Sequence, residues 1–353
     1  MRKRLLTILL AVLVCLGTLP LEAGAGYTGY SDVPEGHWAG ESIRRATELG
    51  LFQGVEEGRF GLGQPISRAA FSAALVRLFG WTEVRPAEPS YTDVGKERWF
   101  YAAVETMLAN GAVAAAGQEF RPTDDLTRGE MASMLVRGLG YSSALAEAAA
   151  SYGVPFGDVS VNKGFVTMAY DLGLMNGKKD GRFDPDGAAT REQAAAVLVR
   201  LHDQMSAASV RLPAAGRYKV ITIATPMAKS GDEMPITPLE PLPELYATLR
   251  RMKNNGEDMS QAALRLMAGG VRTLTDGGGN LVGGSELISA AEVESALAGK
   301  DVNTFYSEQY QSAYCICAPN AYQTAYIWYQ SDESMAAKLR LARLFGVTRY
   351  ILE

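Results

Sequence analysis

Three stretches in the first two hundred residues repeat one pattern of apolar and polar positions. Phe71, Leu75 and Leu78, then Met131, Leu135 and Leu139, then Ala194, Leu198 and Leu201 fall at intervals of three or four residues. That spacing puts the side chains on one face of a helix. Another helical stretch precedes each of them. The first carries Ile43, Ala46 and Leu49 behind Trp38, and the next Ala103, Met107 and Leu108 behind Trp99. Glycine-rich turns lie between the two helices of each pair, at Gly50 to Gly54, Gly111 to Gly117 and Gly173 to Gly177, as left-handed helix stops require. One helix pair cannot bury its apolar face alone, so the three pairs are expected to share a core.

Short landmarks follow the same order in each stretch. Ser31-Asp32-Val33 recurs as Thr92-Asp93-Val94 and Gly157-Asp158-Val159, and Ser67-Arg68 as Thr127-Arg128 and Thr190-Arg191. Phe60, Phe120 and Phe183 each lie eight residues before their arginine. Together they define a helix–loop–helix repeat. Thr127-x-x-Glu130 predicts a capping box and Thr190-x-x-Gln193 a variant of it, while Ser67 keeps the cap although Ala70 cannot return the second bond. Capping explains the hydroxyl and the glutamate but not the arginine, because a cation in the first helical turn opposes the helix dipole by ~0.3–1 kcal/mol. Two readings stay open: each arginine pairs with a neighbouring Asp32, Asp93 or Asp158, or the arginine and the free N–H groups bind an anion together.

The run Phe/Tyr-x-Asp-Val, Trp, Gly-x-x-x-Gly, Phe-x-Pro and Thr-Arg-Ala-Glu resembles the S-layer homology domain, over residues 30–202 in three copies. The resemblance implies an all-α, three-repeat spindle around a central three-helix bundle. It also implies grooves for secondary cell-wall polysaccharide carrying ketal-linked pyruvate. The family's arginine falls on Arg68, Arg128 and Arg191, its aspartate on Asp32, Asp93 and Asp158, and its tryptophan on Trp38 and Trp99. A pyruvyl carboxylate is the anion such an arginine suits, and a flat aromatic suits a sugar face. Repeat one departs from the motif at Ala70. Repeat two has Gly129 for alanine, and repeat three has Gly164-Phe165 where tryptophan is expected and Gln193 for glutamate.

Beyond residue 203 the pattern changes. Residues 203–217 are rich in Ala and Ser and read as a linker. Val220 to Thr225 predicts a strand and Pro243 to Lys253 a helix. Leu264 to Thr275 with Leu281-Val282 predicts a hairpin around the Gly277-Gly278-Gly279-Asn280 turn. Ala325 to Tyr329, a helix capped at Ser331 or Asp332 and running to Phe345, and Val347 to Leu352 predict a βαβ unit. The run from Ile327 to Ser334, through Lys338 to Phe345-Gly346-Val347, resembles the last barrel unit of family 18 glycoside hydrolases. That family carries an Asp-x-x-Asp-x-Asp-x-Glu run with the general acid, and this sequence has none. Residues 217–353 also fall short of the ~250 of a whole barrel. No catalytic residue is therefore assigned, and the C-terminal domain is expected to be non-enzymatic. Tyr306, Tyr310, Tyr314, Tyr322, Tyr326, Trp328 and Tyr329 cluster there, as half-buried strand aromatics or as sugar platforms.

Composition narrows the class. Hydrophobic residues make up 47% and charged residues 21%, as in a globular chain rather than a disordered one. A formal net charge of −5 leaves no basic footprint for nucleic acid. Arg2-Lys3-Arg4, the apolar run Leu5 to Leu16 and Ala23-Gly24-Ala25 read as a secretory signal too short to span a bilayer, and no later segment is apolar enough to do so. Cys315 and Cys317 read as two semi-buried thiols. With His37 and His202 far from them in sequence, and with Asp180, Asp184 and Asp186 lacking calcium-loop spacing, no metal or cofactor is expected.

The expected architecture is multidomain: signal peptide 1–25, repeats over 26–84, 85–148 and 149–203, linker 204–217, and a smaller α/β domain over 218–353 that is a possible truncated glycosidase-like remnant. The expected function is a secreted protein of the cell wall or S-layer surface, held non-covalently to secondary cell-wall polysaccharide. The alternatives are an anchored family 18-like glycosidase acting on cell-wall or chitin-like polymers, and a structural surface-layer subunit.

Overall fold

A computed structural model describes residues 29–114, 119–213, 218–229 and 238–353. The segment read as a signal peptide, and residues 214–217 of the stretch read as a linker, lie outside the described residues. Among those described, seven helices come first: α1 (Gly40–Glu48), α2 (Arg68–Phe79), α3 (Tyr101–Ala109), α4 (Arg128–Gly138), α5 (Ser143–Ser151), α6 (Lys163–Asp171) and α7 (Arg191–Ser206). Two compact units result. One is made of residues up to Gly140 together with Gly177–His202, the other of Tyr141–Asn176 with Asp203–Glu353. A helical N-terminal region followed by an α/β region is thus the observed arrangement.

In the first unit the predicted stripes are core except at Leu78, which is half-buried. Phe71, Leu75, Met131, Leu135, Leu139, Ala194, Leu198 and Leu201 are all buried. The loops before α2, α4 and α7 close on one another in a ring of backbone hydrogen bonds. Ile66 N–H donates to Ala189 O, Ala189 N–H to Leu126 O, and Leu126 N–H to Ile66 O, at 2.8–2.9 Å. Each repeat thus supplies one donor and one acceptor, and the cycle closes only with all three.

Of α2, α4 and α7, the helices that open on the repeat arginine, the first two start as the capping rules predict. Ser67 Oγ accepts from Ala70 N, and Thr127 with Glu130 forms the full capping box. At α7 only Gln193 reaches back, to Thr190 N at 3.5 Å, and the buried Thr190 hydroxyl has no hydrogen-bond partner among the described residues.

The second unit holds α5 and α6 beside two sheets. Its remaining elements are β1 (Val210–Arg211), β2 (Lys219–Ile221), α8 (Leu242–Asn254), β3 (Ala262–Leu266), β4 (Gly270–Asp276), β5 (Glu286–Ile288), α9 (Ala290–Leu297), β6 (Val302–Ser307), β7 (Ser312–Asn320), β8 (Gln323–Tyr329), α10 (Asp332–Leu344) and β9 (Arg349–Leu352). The stretch read as a linker therefore contains the last turn of α7 and strand β1. A parallel sheet has the order β1-β9-β3-β2, and a second sheet, antiparallel throughout, has β5-β4-β8-β7-β6. Val293 of α9 packs with Ile288, Cys315, Ala325 and Ile327 on one face of the antiparallel sheet. Among the described residues Cys315 and Cys317 are free thiols; Cys315 is buried there, and burial pushes its thiol up to about 11.

Two sequence expectations are corrected. The run Leu264 to Thr275 is two strands in different sheets, broken over residues 267–269. A side chain at Gly269 would meet Ile288 O at 2.0 Å, and one at Gly270 would meet Trp328 O at 2.6 Å. The end of the run does form the expected hairpin around the glycine turn: Asp276 N–H bonds to Asn280 O, Thr275 pairs antiparallel with Leu281, and Val282 N–H donates to Leu274 O. The expected βαβ unit also dissolves. β8 pairs antiparallel with β4 and β7, whereas β9 pairs parallel with β3 and β1, so α10 joins two sheets.

Candidate functional site

The three arginines occupy equivalent positions, and each reaches into the next repeat. Arg68 Nε donates to Phe120 O at 2.7 Å, Arg128 Nε to Phe183 O at 2.8 Å, and Arg191 Nε to Phe60 O at 2.9 Å. Each guanidinium also lies over the ring of that phenylalanine, 4.8, 4.8 and 5.0 Å from the centroid. Repeat one thus grips two, two grips three, and three grips one. The unfavourable position on the helix dipole is offset by a charge-assisted hydrogen bond and a cation–π contact. Burial presses the Arg68 and Arg191 guanidinium groups below their ordinary range, although Glu130 opposes this at Arg68 from 2.7 Å. Arg191 spends a further N–H on Gln53 O.

Asp32 and Asp93 hold the loops that carry those phenylalanines. Asp32 accepts from the N–H groups of Phe60, Gly61 and Leu62 at 2.8–2.9 Å, and Asp93 from those of Phe120 and Arg121 at 2.7–2.8 Å. Burial alone would raise the Asp32 carboxyl, but the backbone donors outweigh it and hold it below the usual carboxylate range. Asp158 lies in the second unit with α5 and α6. We predict that Asp32→Ala frees the 60–62 loop and costs about 1–3 kcal/mol, as expected when buried donors lose their acceptor. With the folded carboxyl below its unfolded value, the native contribution is present at neutral pH and fades as pH falls through the folded value. Acid titration of unfolding, wild type against variant, checks this; parallel profiles would contradict it.

Trp38 and Trp99 do not join the core. Both stand 64% exposed, immediately before the residues that open α1 and α3. In the second repeat an open depression of about 500 Å³ is lined by Arg98, Phe100, Arg121 and the carboxylates of Asp93, Glu97, Glu119 and Asp124, among others. Sequence reasoning missed Arg98, Arg121 and Glu119. Arg121 carries a signal that could have found it: it follows the repeat phenylalanine, at a position held at positive φ as Gly61, Arg121 and Asp184.

The S-layer homology domain model matches residues 29–72, 90–132 and 155–195. The chain carries three S-layer homology domains. The chain is 22% identical over 218 residues to the S-layer protein sap of Bacillus anthracis, covering 62% of this chain and 26% of that protein. It is 28% identical over 178 residues to the exoglucanase XynX of Acetivibrio thermocellus, covering 49% and 16%. This chain thus spans about a quarter or less of either relative. Among solved structures, a putative sporulation-specific glycosylase of Bacillus subtilis matches with a TM-score of 0.31 at 16% identity, covering 44% of this chain and 56% of that one. The spore cortex-lytic enzyme SleL of Bacillus cereus matches at 0.30 and 14%, covering 39% and 30%. The S-layer homology domains mark a secreted cell-surface protein associated with the wall. Among the described residues no helix is long and apolar enough to cross a membrane.

Proposed function

We propose that the protein is anchored non-covalently to secondary cell-wall polysaccharide by the first two S-layer homology repeats. The repeats form the three-pronged spindle that the family resemblance implies, a reading supported by the closed hydrogen-bond ring and the cyclic arginine grip. The observation that carries the function is the matched exposure of Trp38 and Trp99. Two large indole faces are exposed at equivalent positions of the two repeats, and an aromatic face with a polar edge is a platform on which sugar rings stack. Arg98 and Arg121 are the cations of the depression that adjoins this repeat, where a pyruvyl carboxylate would pair in exchange for the Glu130 and Asp124 ion pairs of Arg121. The arginines Arg68, Arg128 and Arg191 act chiefly by closing the ring.

The α/β domain is a non-catalytic cargo in this reading. The acid run of family 18 is absent from the sequence, and Glu240, a fully buried carboxylate of this domain, is spent on internal partners. Turnover of a chitooligosaccharide or muropeptide by the full chain would overturn that part. For the anchor, purified walls are mixed with the full chain before and after chemical extraction of the secondary polymer. Retention is expected before extraction and loss after it. Equal retention on extracted walls would sink the polysaccharide reading.

A further inference from the structure

The third repeat departs from the other two in its first helix. Trp38 and Trp99 stand just before the residues that cap α1 and α3, Ala39 and Phe100; before Asn162, which caps α6, stands Val161, 65% exposed but with no flat aromatic face. Three residues on, a side chain at Gly164 would meet Ala146 O at 1.9 Å. Ala146 belongs to α5, which packs closely on α6.

α8, from the α/β region, completes this packing. The last residue of α6, Asp171, is buried, accepts a hydrogen bond from the Tyr246 hydroxyl, and makes an ion pair with Arg250 Nε at 2.8 Å. Arg250 also donates to the carbonyls of Tyr152 and Gly153 at the end of α5, at 2.6 and 2.7 Å. Lys253 Nζ donates to Asp171 O at 2.5 Å. Cations of α8 therefore cap the carboxyl ends of both α5 and α6, where the helix dipole favours positive charge. Tyr246 in turn stacks on Tyr152 and meets Phe345 edge-on.

We infer that the first half of the third repeat is a mount for α8 and the α/β domain rather than a third ligand site. The α/β domain folds as one cooperative unit with residues 141–176. The part of this inference about ligands rests on the anchoring proposed above; the part about cooperative folding does not.

Native-state hydrogen exchange of the full wild-type chain in rising denaturant tests it, because helices that open together share one exchange isotherm. α5 and α6 are expected to merge with α8, apart from α2 and α4. Merging of α5 and α6 with α2 and α4 would overturn the inference. Tyr246→Phe removes only a hydroxyl; it should speed exchange in α5, α6 and α8 together, roughly ten-fold for one buried charge-assisted bond. A change confined to α8, no change in α5 and α6, or an equal change in α2 and α4 would each count against the mount. Failure of the wild-type chain to bind walls would remove the anchoring reading and leave this result standing.

Discussion

Lys338→Met is expected to destabilise the second unit by about 3–5 kcal/mol, because it leaves a buried carboxylate without its counter-charge. Lys338 and Glu240 are 0% and 1% exposed. The ammonium donates to Leu239 O at 2.7 Å and Gln330 Oε1 at 2.9 Å and lies 3.9 Å from the Glu240 carboxylate. Glu240 accepts from Met267 N–H and Gln330 Nε2. Burial pushes the carboxyl up and the ammonium down, and the charge of each opposes the shift of the other. Removing the lysine therefore raises the folded Glu240 value further above its unfolded one. For a carboxyl so raised, the native contribution is complete below the unfolded value and is lost as pH rises through the folded value. The deficit of the variant should shrink between roughly pH 8 and pH 5. Thermal unfolding followed by near-ultraviolet circular dichroism at both pH values measures it. A deficit under about 1 kcal/mol, or one that grows on acidification, would show that the pair is solvated. The double variant Lys338→Met with Glu240→Leu should recover most of the loss, since apolar replacements of a buried pair are often neutral.

Neither partner of that pair stands out in sequence. Lys338 lies mid-helix between apolar neighbours and Glu240 between two prolines, and only the fold brings them together across nearly a hundred residues. The same limit governs the repeats. The repeat, the helix stripes and the caps are local, set by three- and four-residue spacing and by Ser or Thr before an arginine, so they could be read directly. The partner of each arginine could not. Arg191 meets Phe60 only because the third repeat closes on the first, a contact 131 residues apart in sequence. Asp32 and Asp93, expected beside the arginines or at the sugar, hold loop amides. In the second unit, the adjacency of β8, α10 and β9 carried no information about which sheet each strand joins. Gly269 and Gly270 mark the end of the break in the run, but the reason lies in the carbonyls of Ile288 and Trp328.

Fold closure and ligand contact should separate when Arg128→Ala is set against Trp99→Ala. Arg128 is the arginine of the second repeat and only 7% exposed. Its loss removes the hydrogen bond to Phe183 O and the contact with the Phe183 ring. A buried charge-assisted hydrogen bond and a cation–π contact together put the cost at about 2–4 kcal/mol. Wall binding by Arg128→Ala should fall only as far as the folded population falls, and should return when the variant is cooled or stabilised. Trp99→Ala should change stability by under about 0.5 kcal/mol, as expected of an exposed side chain outside the core. Its retention on walls should drop at least ten-fold, because loss of one stacked aromatic costs about 1.4 kcal/mol or more. Trp38→Ala should add to that loss, since the two indoles sit in different repeats. Unfolding midpoints and wall-retention curves for the three variants decide the matter. If Arg128→Ala stays as stable as wild type yet loses walls, the arginine contacts the polymer directly. If Trp99→Ala binds normally, the exposed indole serves some other surface and the carbohydrate reading loses its main support.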